Sequence, residues 1–215
     1  VFSEPVSGFS GAGVSVTGTA GLGSVTKTVT GGPVSYNIAV SGVTGNGTVI
    51  ATVPAGGAQD AAGNANTAYT STDNTVTVDT TAPTVTINQA VGQADPTNSG
   101  TINYTVVFSE SVGGFSGAGV SVTGTAGLGS VTKTVSGSGA TYNVAVSGVT
   151  GHGTVLVTVP AGGAQDWAGH RNTASTSTDN TVTLATLAPT VAINQAARQA
   201  DPTRAQPTNF TVLFS

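Results

Sequence analysis

Thr101-Ile102-Asn103-Tyr104-Thr105-Val106-Val107-Phe108-Ser109-Glu110 is the stretch that decides the fold class. Ile102, Tyr104, Val106 and Phe108 fall at every second position, with Asn103 and Thr105 between them. Successive side chains of a strand point to opposite faces, so this period makes a half-buried β-strand. The end of the stretch recurs elsewhere. Val107-Phe108-Ser109-Glu110 repeats Val1-Phe2-Ser3-Glu4, and Leu213-Phe214-Ser215 begins the pattern a third time. Gly8 to Val29 returns unchanged as Gly114 to Val135, and Val53 to Asp60 as Val159 to Asp166. The offset is 106 residues throughout, without insertion or deletion. Between 1–106 and 107–212, 27 positions differ and 79 match. A period of that size is a whole domain, longer than the units of a solenoid.

Each period carries further alternating runs, including Tyr142, Val144, Val146 and Val155, Val157, Val159. Gly and Pro clusters punctuate them, and no stretch holds a 3.6-residue period. The abundance of Thr and Val also opposes helix. Seven strands per period are expected, at about 84–89, 101–109, 118–123, 128–136, 140–147, 153–160 and 175–184. Seven short strands in about 100 residues point to an all-β two-sheet sandwich of immunoglobulin type. In that frame 83–188 is one complete domain. Residues 1–82 lack the first strand and most of the second, and 189–215 hold those two strands of a further domain.

Composition excludes several functions. Charged residues are 7% of the 215, against about 25% in an average chain. Nine acids and five bases leave a net charge of −4, and five scattered cations cannot track a phosphate backbone, so nucleic acid is excluded as a partner. No apolar run reaches the roughly 20 residues of a membrane span. Without Cys there are no disulfides. With no Met and no charged-then-apolar leader, the sequence reads as an internal stretch of something longer.

Three motifs together resemble the bacterial immunoglobulin-like repeats of large surface adhesins and biofilm-associated proteins. They are Phe108-Ser109-Glu110 after the second strand, Asp60-Ala61-Ala62-Gly63-Asn64 in a late loop, and Asp79-Thr80-Thr81-Ala82-Pro83 between units. The resemblance spans the whole chain. It implies a secreted, bacterial cell-surface protein of many domains that projects or adheres. The second unit departs from it: Asp166-Trp167-Ala168-Gly169-His170 replaces the loop motif, and Ala185 stands where Asp79 does.

All nine acids occupy five repeat positions: Glu4/Glu110, Asp60/Asp166, Asp73/Asp179, Asp95/Asp201, and Asp79 alone. Tracing the sandwich puts Asp79, Glu110 and Asp166 at the end where the chain enters the second domain. Glu4 and Asp60 are the counterparts in the first. Hard oxygen donors meeting at a domain junction suit Ca²⁺, which takes six to eight oxygens. The competing reading is that these carboxylates cap turns and keep the chain soluble. Asp73/Asp179 are expected to discourage edge pairing on the last strand, and Asp95/Asp201, each before Pro, to make turns. His152 and His170 replace Asn46 and Asn64, so neither belongs to a repeated site; both read as solvated loop residues. Trp167 reads as the cover of a hydrophobic edge or as a contact residue. Three Asn-X-Thr triplets, at Asn46, Asn103 and Asn209, fit a glycosylation acceptor.

The repeat and the lack of a nucleophile or acid–base constellation make the chain a structural protein, not an enzyme. Two arrangements fit an extended stalk or filament. One is a continuous array, each repeat partnered by its neighbours. The other is head-to-tail complementation, in which 189–215 supply two strands to 1–82 of another copy. The alternative function is an adhesin module that binds a cell-surface or matrix ligand, sugar or protein, through loop 160–174 with Trp167, His170 and Arg171.

Overall fold

The computed structural model describes residues 1–204 and 206–215. They are built from strands, with short 3-10 turns at Gly11–Gly13 and Gly117–Gly119. The chain forms two compact units. One comprises Val1–Thr84, Phe108–Phe115 and Ala161–Thr173; the other comprises Val85–Val107, Ser116–Pro160 and Ala174–Ser215.

The first unit holds β1 (Ser15–Gly18), β2 (Thr26–Gly31), β3 (Tyr36–Ser41), β4 (Gly47–Thr52) and β5 (Thr75–Val78). β4 lies between β1 and β5 in one antiparallel sheet, and β2 pairs with β3 in another. Phe2, Phe9 and Tyr36 meet edge to face with centroids 5.1–5.8 Å apart.

The second unit holds β6 (Val85–Gln89), β7 (Thr101–Phe108), β8 (Ser121–Gly124), β9 (Thr132–Ser138), β10 (Thr141–Ser147), β11 (Gly153–Thr158) and β12 (Thr181–Leu184). It also holds a separate antiparallel pair, β13 (Val191–Gln195) and β14 (Phe210–Phe214). One sheet runs β6-β7-β10-β9 and the other β12-β11-β8. Ile102, Tyr104 and Val106 of β7 are buried, as their spacing predicts. They meet Val144 and Val146 of β10, Val155 and Val157 of β11, and Val182 and Leu184 of β12 in a common core. Each such side chain contributes roughly 1.5–3 kcal/mol on burial, so this core is the main source of the sandwich's stability. The Tyr104 hydroxyl donates to the Val155 carbonyl across the sheets at 3.3 Å. Burial, followed by the charges of Asp95 and Asp179, pushes that phenol far above its ordinary pKa.

All seven strands expected for 83–188 are present, and three are shorter than their sequence pattern. β8 begins at Ser121 because Gly117–Gly119 turn. β9 begins at Thr132, after the turn that follows Leu128. β12 begins at Thr181; before it, single bonds from Ser175 N to Val159 O and from Thr176 N to Val85 O replace a ladder.

Candidate metal centre

Two loops and one connecting segment build the site. The first loop follows Phe108, whose ring packs edge-on against Phe115 at 5.2 Å. It carries Glu110 and is fixed at Gly113, which exchanges two backbone bonds with Gln165 at 2.7 and 3.2 Å. The second loop, 161–173, carries Asp166. Its clamp is Asn172, which is 2% exposed. Asn172 Oδ1 accepts from Ala164 N at 2.7 Å, and its Nδ2 donates to Thr173 O at 2.7 Å. The segment carrying Asp79 is held by Asn46. Asn46 Oδ1 accepts from Thr80 N at 2.7 Å and from Thr80 Oγ1 at 2.8 Å, and its Nδ2 donates to Thr81 Oγ1 at 2.8 Å.

Asp79, Glu110 and Asp166 thereby come together, with one carboxylate oxygen of each within 4.8 Å of the others. Asp166 is buried and the other two are half-buried. Burial, then the charges of Asp79 and Asp166, raises the pKa of Glu110, and His170 opposes the rise. A hydrogen bond between the Glu110 and Asp79 carboxyls adds to it, since such a bond requires a proton on one partner. At Asp166, burial acts upward but is outweighed by hydrogen bonds from His170, and the pKa falls. His170 N donates to Asp166 Oδ1 at 2.9 Å, and His170 Nδ1 lies 3.1 Å from Oδ2. Three acids in this space repel one another when ionised, and every carboxylate donor is a hard oxygen. Such a set suits Ca²⁺ or a similar cation far better than a metal that prefers nitrogen or sulfur.

Residues 79–184 match the family described as bacterial Ig-like domain. This segment of the chain is a bacterial Ig-like domain. The match begins at Asp79, so all three carboxylates belong to the Ig-like domain itself. No curated protein and no solved structure matches the chain. Domains of this family are found in bacterial surface proteins, and the Ig-like fold is typically non-catalytic. No helix among the described residues is long and apolar enough to cross a membrane.

The remaining singled-out residues are placed differently. Glu4 is exposed and is not part of a three-carboxylate group among the described residues. Asp60 closes its own loop: Oδ1 accepts from Ala62 N and Asn64 N, each at 2.8 Å, and Oδ2 accepts from Asn64 Nδ2 at 2.8 Å. These bonds, with the side-chain one foremost, lower its pKa. Trp167 is 88% exposed, so it covers no edge. His170 is turned onto Asp166 instead of standing free in solvent, whereas His152 is exposed. Arg171 is exposed and bridges Gln165 through its backbone. Asp179 does not discourage pairing. It joins β6 instead, accepting from Gln89 Nε2 at 2.8 Å and from Gln89 N at 2.7 Å. Asp95 does more than turn the chain, because its Oδ1 accepts from Thr183 N at 2.9 Å.

Asn46 and Asn172 are the residues that reading along the chain misses. For Asn46 the signal was present. Asn46, Asp79 and Thr81 become His152, Ala185 and Leu187 one period later, and the structure shows that Asn46, Thr80 and Thr81 bond one another beside Asp79. Differences that fall together between near-identical repeats mark one local device.

Proposed function

We propose that the chain is a stretch of structural repeat from an extracellular bacterial surface protein, forming an extended stalk or filament that serves adhesion or biofilm. The observation that carries this reading is the repeat itself: 79 of 106 positions are unchanged, and the fully buried core positions of the second unit are among them or are swapped for similar apolar groups, apart from Ile102, whose counterpart is Thr208. A spacer needs a reproducible folded unit more than a unique surface. The test is to display the chain between a cell-surface anchor and a terminal epitope, with one, two or four 106-residue periods inserted. Epitope reach should grow with each period; a reach independent of repeat number would contradict a spacer.

Within this reading Asp79, Glu110 and Asp166 hold Ca²⁺. The cation removes the repulsion among three carboxylates and ties the segment before the Ig-like sandwich to two of its loops. Backbone carbonyls and water complete the shell. The third carboxylate has no counterpart at Ala185, so the repeats differ in whether they carry this site.

One observation favours a second reading, a ligand-binding module acting through loop 160–174. Trp167 is nearly fully exposed and replaces Ala61 of the first repeat. Exchanging Trp167, His170 and Arg171 for Ala, Asn and Ala should abolish adhesion on that reading. Unchanged adhesion dismisses it.

A further inference from the structure

We propose that Lys27 and Lys133 guard a free strand edge in each unit, keeping it from adding a strand of a second copy of the chain. They are the chain's two lysines, and they stand one period apart. β9, which carries Lys133, is the last strand of the sheet β6-β7-β10-β9. β10 pairs with one side of it from Thr132 to Ser138, and no strand among the described residues pairs with the other. Such an edge offers a row of unpaired N–H and C=O groups to any strand of suitable sequence. Thr132, Thr134 and Val135 are β-branched and favour that sequence. Near-identical repeats present one such edge per period, which multiplies the opportunities for wrong pairing.

The direction of the lysine answers the hazard. Thr132, Thr134 and Ser136 are exposed, while Lys133 and Val135 between them are half-buried, so Lys133 stands on the core side of the edge strand. Its Nζ donates to the Val120 carbonyl at 2.6 Å. Lys27 Nζ makes the same bond to the Val14 carbonyl at 2.6 Å. Both acceptors belong to buried residues, Val14 and Val120.

Those acceptors also fasten something over the edge. Val14 directly follows the 3-10 turn Gly11–Gly13, and Val120 follows Gly117–Gly119. Neither turn has a buried residue of its own to hold it down. The second lies close against β9, since a Cβ on Gly117 would meet Lys133 O at 2.5 Å. Glycine is what permits that approach of backbone to backbone. Lys133 therefore ties a strip of backbone across its own end of β9. Among the described residues neither lysine forms an ion pair. A strand added here would have to lift the turn and enclose a cation that has no counter-charge, which costs more than each new backbone bond returns.

The test replaces both lysines by methionine in the full chain, which keeps a long side chain and removes its charge and donors. Sedimentation should show the Lys27→Met/Lys133→Met chain associating at a concentration about tenfold or more below that of the parent. The Lys27→Arg/Lys133→Arg chain should behave as the parent, because a guanidinium keeps both charge and donors. Amide exchange locates the contact: in the associated methionine chain, residues 131–138 should become protected. A melt reports whether that chain has folded. If it has not, acetylating the two lysines of the already folded parent should cause the same association, with the arginine chain treated alike as control for the terminal amine. Association no stronger than the parent's in the folded methionine chain or the acetylated parent, or association that leaves exchange at 131–138 unchanged, overturns the inference.

Discussion

Replacing Asn172 by Ala removes the clamp of the loop that carries Asp166. The side chain is 2% exposed, and its Oδ1 accepts the Ala164 N–H at 2.7 Å. Ala164 is itself 5% exposed, so water cannot replace that acceptor without opening the loop. A buried N–H left without a partner costs about 1–3 kcal/mol. For a domain of this size that lowers Tm by about 5 to 15 °C. Asn172→Asp retains an acceptor oxygen for Ala164 but buries a charge and turns its other oxygen onto the Thr173 carbonyl, so it should not rescue the loss at neutral pH. Calorimetric melts of the full chain and both variants measure the difference directly. An Asn172→Ala melt within about 1 °C of the parent would refute the reasoning, because the clamp would then contribute nothing.

Further outcomes follow from the cluster and the backbone. Calcium at a hundredfold excess over its Kd should stabilise the full chain by about 2.7 kcal/mol relative to chelator, and Asp79→Ala should remove that difference; identical melts of the parent in calcium and chelator would eliminate the site. Glu110 has its folded pKa raised, so in chelator the parent loses stability, relative to Glu110→Gln, as pH rises through that folded value. The gap in Tm should therefore be smallest at acid pH and grow toward neutrality, and a gap that shrank instead would reverse the sign of the argument. Asp166 has its folded pKa lowered, so the stability it contributes is present above its unfolded value of 3.8 and lost as pH falls through the folded one. Asp166→Asn should accordingly cost most at neutral pH, by melts across the same range. Gly124 has φ +144°, and a Cβ there would lie 2.0 Å from the Thr154 carbonyl oxygen. Gly124→Ala should destabilise by about 2 kcal/mol or more in denaturant titration, whereas Gly129→Ala, with open space around it, should not.

The strands were legible because period two and β-branched residues report burial on one face, and β7 shows the pattern in full. Their ends were less so. The tripeptide Gly117–Gly119 sits in an apolar run yet turns, and residues before Thr181 bond singly to two different strands. The convergence of Asp79, Glu110 and Asp166 followed from tracing the sandwich, since strand order carries distant loops to one end. What held those loops was not legible. Asn172 and Asn46 lie in Gly- and Thr-rich stretches, where Asn reads as an ordinary turn residue. Asp95 and Asp179 were read from their neighbours in sequence, but their partners lie 88 to 91 residues away. The reading of Trp167 as the cover of an edge failed for another reason: apolar character alone cannot tell a covered side chain from one left in solvent.

The most direct test of a bacterial surface repeat is where it is found. Antibody raised against the purified chain should label intact cells of the source bacterium, and brief external protease should strip the label. Labelling that appears only after the cells are permeabilised, and survives protease on intact cells, would contradict the account.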